Sequence, residues 1–181
     1  MNFNTYIEKT RETAVYPENY ERDYVIHGLV DELGELMRIS QEVQGSVDKD
    51  IGSTTHITQV CKEMGDAMWY LARLADHFNF DLIDHFEEPH EVEMSLEEGQ
   101  ARVQEAFLQA AKINGFQKKS VRDDVDKVSH IEAAAANILF ELRRAAHHFG
   151  VFDLRVVMSR NIEKLFDRKA RNVIHGDGDN R

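Results

Sequence analysis

Cysteine is almost missing from this chain: Cys61 is the only one among 181 residues. An internal disulfide is therefore impossible and the fold rests on packing. A lone thiol at an apolar helix position points to a reducing, cytoplasmic setting. Proline is nearly as scarce. Pro17 and Pro89 are the only two, and both fall outside the long periodic stretches, so neither breaks a long helix. No apolar run approaches the roughly 18 residues that cross a bilayer, which argues against a membrane protein. The opening MNFNTYIEKT has no basic-then-apolar signal pattern. Positive charge is also short: Lys and Arg number 22 against 33 Asp and Glu, for a net charge of −11. Long nucleic acid, bound mainly through Lys and Arg on phosphates, is thereby disfavoured as a partner. A phosphorylated small molecule is not, because a bound metal bridges carboxylates and phosphates. Strand-like alternation, a glycine-rich phosphate loop and a nucleophile motif are all missing too.

What is present is helical periodicity. A chain of 181 residues, 42% hydrophobic and 30% charged, suits one soluble globular domain spanning 1–181. The 3.6-residue spacing of apolar positions predicts helices over Phe3 to about Ala14, Glu18–Val43, Thr55–Phe78, Leu96–Ile113, Asp123–Phe149 and Asp153–Ala170. Residues 44–53 read as a loop, the stretch from Phe80 to Met94 as a short helix and connection, and Asn114–Lys119 as a polar turn. The loop between the second and third helices is short, which favours an antiparallel hairpin. The expected fold is an all-α antiparallel helical bundle with 171–181 as a flexible C-terminal arm.

Two acidic clusters stand out. Glu32-Leu33-Gly34-Glu35 and Glu63-Met64-Gly65-Asp66 each set two carboxylates three residues apart, on one face of a helix. Each carries a glycine before its second acid, where glycine costs roughly 1 kcal/mol relative to alanine. Two such glycines suggest close approach of backbone or ligand. A single ExxE is ordinarily a solvated face, but two pairs on adjacent helices repel one another without a cation. Four carboxylates make an oxygen-rich cage suited to Mg2+ or Mn2+. The complement lies at the far end of the chain: from Arg155 to Arg181 there are seven Lys/Arg against four Asp/Glu. There Asn161, Lys164 and Arg168 are spaced to share one helix face, opposite a stripe of Leu154, Val157, Met158, Ile162 and Leu165.

A short internal repeat is also visible. Leu71–Phe78 recurs as Leu142–Phe149, and Phe80-Asp81-Leu82 as Phe152-Asp153-Leu154. At that offset Glu63 and Asp66 fall on Ala134 and Asn137. A looser match puts Glu105 at Glu32 and Leu108 at Glu35. Either a duplication whose second copy lost the acids, or chance agreement between two amphipathic helices, accounts for the match. Other candidates are weaker. His147 and His148 are adjacent and point in different directions from a helix. Glu87-Glu88-Pro89-His90 contains a helix-breaking proline where a di-iron ExxH site needs a helix. Met68, Trp69 and Tyr70 read as core, although one could meet a base, and Lys62 reads as surface.

Taken together, these residues resemble the all-α nucleoside triphosphate pyrophosphohydrolases of the MazG-like superfamily, which also takes in dimeric dUTPases and phosphoribosyl-ATP pyrophosphatase. The matching pattern is ExxE on one helix and ExxD on the next, here Glu32, Glu35, Glu63 and Asp66. It continues with N-x-x-K-L-x-x-R, here Asn161 to Arg168, and a GDGDNR-like tail, here Gly176 to Arg181. The likeness covers about 27–82 and the last 25 or so residues; about 90–150 is less typical and looks like an inserted or duplicated hairpin. The resemblance implies Mg2+-dependent cleavage of a nucleoside triphosphate between its α and β phosphates, giving a monophosphate and pyrophosphate. Glu32, Glu35, Glu63 and Asp66 would be the metal ligands and catalytic acids, and Asn161, Lys164, Arg168 and Arg181 would contact substrate. It also implies a homo-oligomer, with a dimer favoured. A dUTPase of the same superfamily and a non-catalytic helical interaction module are the competing expectations.

Overall fold

The computed structural model describes residues 1–45, 54–82 and 93–173. Among the described residues the chain is all helix and turn, with no strand. Helix α1 covers Phe3–Thr13, a 3-10 turn Glu18–Tyr20 leads into α2 at Glu21–Gly45, and α3 runs over Thr54–Phe78. Helices α4, α5 and α6 follow at Leu96–Asp123, Val128–His148 and Leu154–Ala170. The expected short element between Phe80 and Met94, including Glu87 to His90, lies mostly outside the described residues, as does the loop before Thr54. The Gly176–Arg181 tail, and with it Arg181, also lies outside them.

Local chemistry places the ends. Asn2 caps α1, its side chain accepting from the Thr5 N–H at 2.9 Å, and Asp153 caps α6 by accepting from the Arg155 N–H at 2.9 Å. One expected boundary is wrong. The polar run Asn114–Lys119 is no turn: α4 continues through it to Asp123, 28 residues in all. Ile113 is buried and Phe116 half-buried against the core, so this segment keeps an apolar face, and Phe116 meets His130 of α5 with ring centroids 5.1 Å apart. Burial of that face outweighs the weak helix preference of Asn114 and Gly115. The chain turns instead at Asp124, whose φ of 52° is left-handed, a conformation that Asp tolerates better than most residues.

Helices α2 and α3 form an antiparallel hairpin, because Tyr24 meets Tyr70 near one end while Glu32 meets Glu63 further along. Helices α4 and α5 form a second. The two hairpins lie side by side, α2 on α4 and α3 on α5, and α1 and α6 cover the other flank of α3. The core between them includes Leu29, Leu33, Leu36, Met64, Met68, Leu71, Ile113 and Ile131. The repeat has a structural counterpart. In each hairpin the second helix ends on a left-handed residue, Asn79 at φ 55° and Gly150 at φ 79°. The next N–H then bonds five residues back, Phe80 to Ala75 at 3.1 Å and Val151 to Ala146 at 2.7 Å.

Candidate functional site

The hairpin register brings Glu32 of α2 against Glu63 and Asp66 of α3. One carboxylate oxygen from each lies within 4.8 Å of the others, the only such cluster of metal-ligating side chains among the described residues. Glu63 is buried, and Glu32 and Asp66 are half-buried. The fourth expected ligand, Glu35, is exposed and stands outside this triad, though it lines the same cavity. Glu35 follows Glu32 by about one helical turn of α2, and only Glu32 comes within reach of both acids of α3. Burial pushes the Glu32 carboxyl up to about 8, with the charges of Asp66, Glu35 and Glu63 adding to it and Lys164 opposing it. A carboxylate so crowded favours a cation.

Helix α6 supplies the cationic side. Lys164 Nζ donates to Asp66 Oδ1 at 2.7 Å and also reaches Oδ2. Asn161 Nδ2 donates to the same Oδ1 at 2.8 Å. Asn161 and Arg168 are buried, which corrects the expectation that the Asn161–Lys164–Arg168 face lies away from the packed stripe of α6. The stripe is shallower than its sequence suggested: Leu165 is half-buried and lines the cavity beside Arg168. A close approach of α6 to α3 makes this possible. A Cβ on Gly65 would meet the Cβ of Asn161 at 3.0 Å. Gly34 plays no such part, since a Cβ there would find only the Phe107 ring at 3.8 Å, an ordinary contact. The pressed glycine of α2 is Gly28, whose added Cβ would fall 2.1 Å from the Tyr70 ring.

The triad opens on a cavity of about 290 Å³ lined also by Tyr16, Tyr24, Trp69, Tyr70, Arg38 and Arg168. Tyr16 stacks on Tyr24 with centroids 4.8 Å apart, and Trp69 meets Tyr70 edge-on at 4.9 Å. The Trp69 indole donates to Thr13 Oγ1 at 2.9 Å, while the Tyr16 hydroxyl accepts from Arg73 Nε at 3.0 Å. Of the three residues read as core after Asp66, Met68 and Trp69 are buried and Tyr70 is half-buried; Trp69 and Tyr70 also line the cavity. Tyr24 was legible, since it sits two helical repeats of four before Glu32 on the same face of α2. Tyr16 carried no local signal; the spacing of Phe3, Tyr6, Ile7 and Thr10 marks one face of α1, which the structure buries at Phe3, Tyr6 and Thr10, but nothing in it links Tyr6 to this site. Tyr6, fully buried, donates to Asn161 Oδ1 at 3.0 Å. Burial and the Asp66 charge hold its phenol well above the ordinary range, so it remains a donor.

The other candidates do not gather at a site. His148 Nδ1 pairs with the Glu93 carbonyl at 2.9 Å and His147 meets the Phe152 ring, so the two are held apart. Lys62 is exposed. In the second hairpin Ala134 is buried, Asn137 and Leu108 are exposed, and Glu105 accepts from Gln109 Nε2 at 2.6 Å; no second acidic triad forms there among the described residues. Cys61 is a buried free thiol. No described helix is long and apolar enough to cross a membrane. Set against models of known protein families, curated proteins and solved structures, the chain matches none of them.

Proposed function

We propose that this protein is a Mg2+-dependent nucleoside triphosphate pyrophosphohydrolase of the MazG-like kind, acting as a cytoplasmic homodimer on surplus or non-canonical nucleotides. The observation that carries the reading is the convergence of Glu32, Glu63 and Asp66 on one point in the wall of an aromatic-lined cavity. Three oxygen donors, no sulfur or imidazole among them, fit a hard divalent ion, Mg2+ with Mn2+ as its substitute. The raised pKa of Glu32, set first by burial and then by the neighbouring carboxylates, supports the same choice, because a bound cation favours the ionised form against both.

When bound there, such an ion supplies charge neutralisation for phosphate oxygens and makes water more acidic. The residues of the chain do the rest. Lys164 sits on Asp66 at the cavity edge, and Arg168 and Arg38 line the same space, so positive charge surrounds the place where a polyphosphate would lie. Arg offers paired donors to phosphate and Lys a point charge. Glu35 lines the cavity without joining the triad, which suits a proton acceptor better than a ligand. In the step proposed, water attacks phosphorus, the anhydride bond between the α and β phosphates breaks, and the proton of the water passes to that carboxylate. Trp69 and the three tyrosines offer apolar surface for a base.

The test is a panel of canonical and modified ribo- and deoxyribonucleoside triphosphates with Mg2+, with products identified. Monophosphate plus pyrophosphate is the expected result. Activity confined to dUTP selects the dUTPase alternative, and no hydrolysis of any member selects the interaction module. Light scattering tests the dimer, which a species of 20.9 kDa alone would reject.

A further inference from the structure

We propose that Tyr6 is a positioning residue for Asp66, acting through Asn161. Its functional meaning rests on the metal-dependent reading above. Three helices meet in one hydrogen-bonded chain: the Tyr6 hydroxyl of α1 lies 3.0 Å from Asn161 Oδ1 of α6, and Asn161 Nδ2 lies 2.8 Å from Asp66 Oδ1 of α3. The hydroxyl also lies 3.3 Å from the Gly65 carbonyl, a second and longer acceptor for its one proton. Tyr6 is wholly buried and Asn161 nearly so, and among the described residues Tyr6 is the donor to that amide oxygen.

Donor and acceptor chemistry fixes the polarity of the chain. An ionised carboxylate only accepts, so the amide of Asn161 must turn its nitrogen toward Asp66. Its oxygen then faces Tyr6, and the phenol, a donor, rewards that orientation. Without the hydroxyl, a rotation of the amide by about half a turn would set oxygen against carboxylate, and nothing on the Tyr6 side would oppose it. Asp66 Oδ1 also accepts from Lys164. When the lysine leaves to meet a phosphate, Asn161 is the partner that keeps the Asp66 carboxylate turned toward Glu32 and Glu63. Partners of this kind, one step removed from the ligands, are worth about 10- to 100-fold in metal affinity. A tyrosine that merely fills the core would matter to melting temperature and not to metal affinity.

The experiment uses the full chain and Mn2+ alone, titrated by electron paramagnetic resonance, with melting curves as the check on folding. Tyr6→Phe keeps the ring and is expected to weaken Mn2+ binding about tenfold. Asn161→Ala should weaken it as much or more, and Tyr6→Phe added to Asn161→Ala should cost nothing further. Affinity within twofold of wild type in Tyr6→Phe, or an undiminished effect in the Asn161→Ala background, overturns the proposal. Wild-type protein that binds no Mn2+ would sink the metal reading instead. The relay is then read directly, from hydrogen exchange of the Asn161 side-chain amide in metal-free protein. Faster exchange in Tyr6→Phe upholds the relay, and unchanged exchange overturns it.

Discussion

Gly65 and Asn161 are packed so closely that a Cβ on the glycine would stand 3.0 Å from the Cβ of the asparagine and 3.3 Å from its amide nitrogen. The missing side chain lets α6 deliver both Asn161 and Lys164 to Asp66. The crowded atom is a Cβ, fixed to the backbone of α6, so it cannot swing aside as the tip of a long side chain would.

Gly65→Ala and Gly34→Ala should therefore differ in sign. At Gly34 only the helix preference counts, and alanine should raise stability by up to about 1 kcal/mol. At Gly65 the same gain meets an overpacking cost of about 1–3 kcal/mol, leaving a net loss of about 1 kcal/mol. Gly65→Ala should also weaken Mn2+ binding, because α6 is pushed off Asp66. Denaturant unfolding and a metal titration on the two variants decide this, and a stabilised Gly65→Ala protein would refute it.

Removing one triad carboxylate should separate metal binding from folding. Glu63→Gln is expected to weaken Mn2+ binding at least tenfold, since even a partner one step removed from a ligand is worth about that much. Melting of the metal-free protein should not fall, since a crowded negative charge has gone. Glu35→Gln, outside the triad, should leave Mn2+ affinity nearly intact and slow turnover. Equal loss of affinity in both variants would return Glu35 to the ligand set.

Lys164 occupies Asp66 in this structure. A cation arriving at that carboxylate competes with the ammonium group, so Lys164→Met should bind Mn2+ several-fold more tightly than wild type. Turnover should drop at the same time, because a charge for the polyphosphate is lost. Isothermal titration beside steady-state kinetics would show the two effects moving in opposite directions; weaker metal binding in Lys164→Met would mean that the lysine organises the site instead of filling it.

The acid limb of stability should depend on Asp76. Its carboxylate accepts from Arg11 Nε at 3.0 Å and from Arg73 Nη1 at 2.7 Å, tying α1 to α3. The Arg11 hydrogen bond, with Arg73 behind it, holds the Asp76 carboxyl below the ordinary aspartate range. The folded value is thus lower than the unfolded one, so the contribution is complete above the unfolded value and is lost as pH falls through the folded one. Asp76→Asn should melt lower than wild type at pH 7, and the gap should close below about pH 4. A gap that persists at pH 2 would mean that the contact matters through packing and not through charge.

Helix and antiparallel hairpin were legible in the order of residues, whereas the register that joins Glu32 to Glu63 and Asp66 was not. Apolar spacing is a local property, and a short loop leaves two long helices little choice but to fold back on each other. The local pattern misled at Asn114-Gly115, where composition suggested a turn and the buried face of Ile113 and Phe116 kept α4 going. It also placed both glycines of the acidic clusters on an equal footing, although only Gly65 is pressed by a neighbour. Two things were decided in three dimensions alone. The register of α2 on α3 put Glu32 in the triad and left Glu35 outside it. The docking of α1 and α6 on α3 joined Tyr6 to Asn161 across 155 positions of chain. Contacts between elements that far apart depend on how whole helix faces fit, and no window of sequence contains both faces.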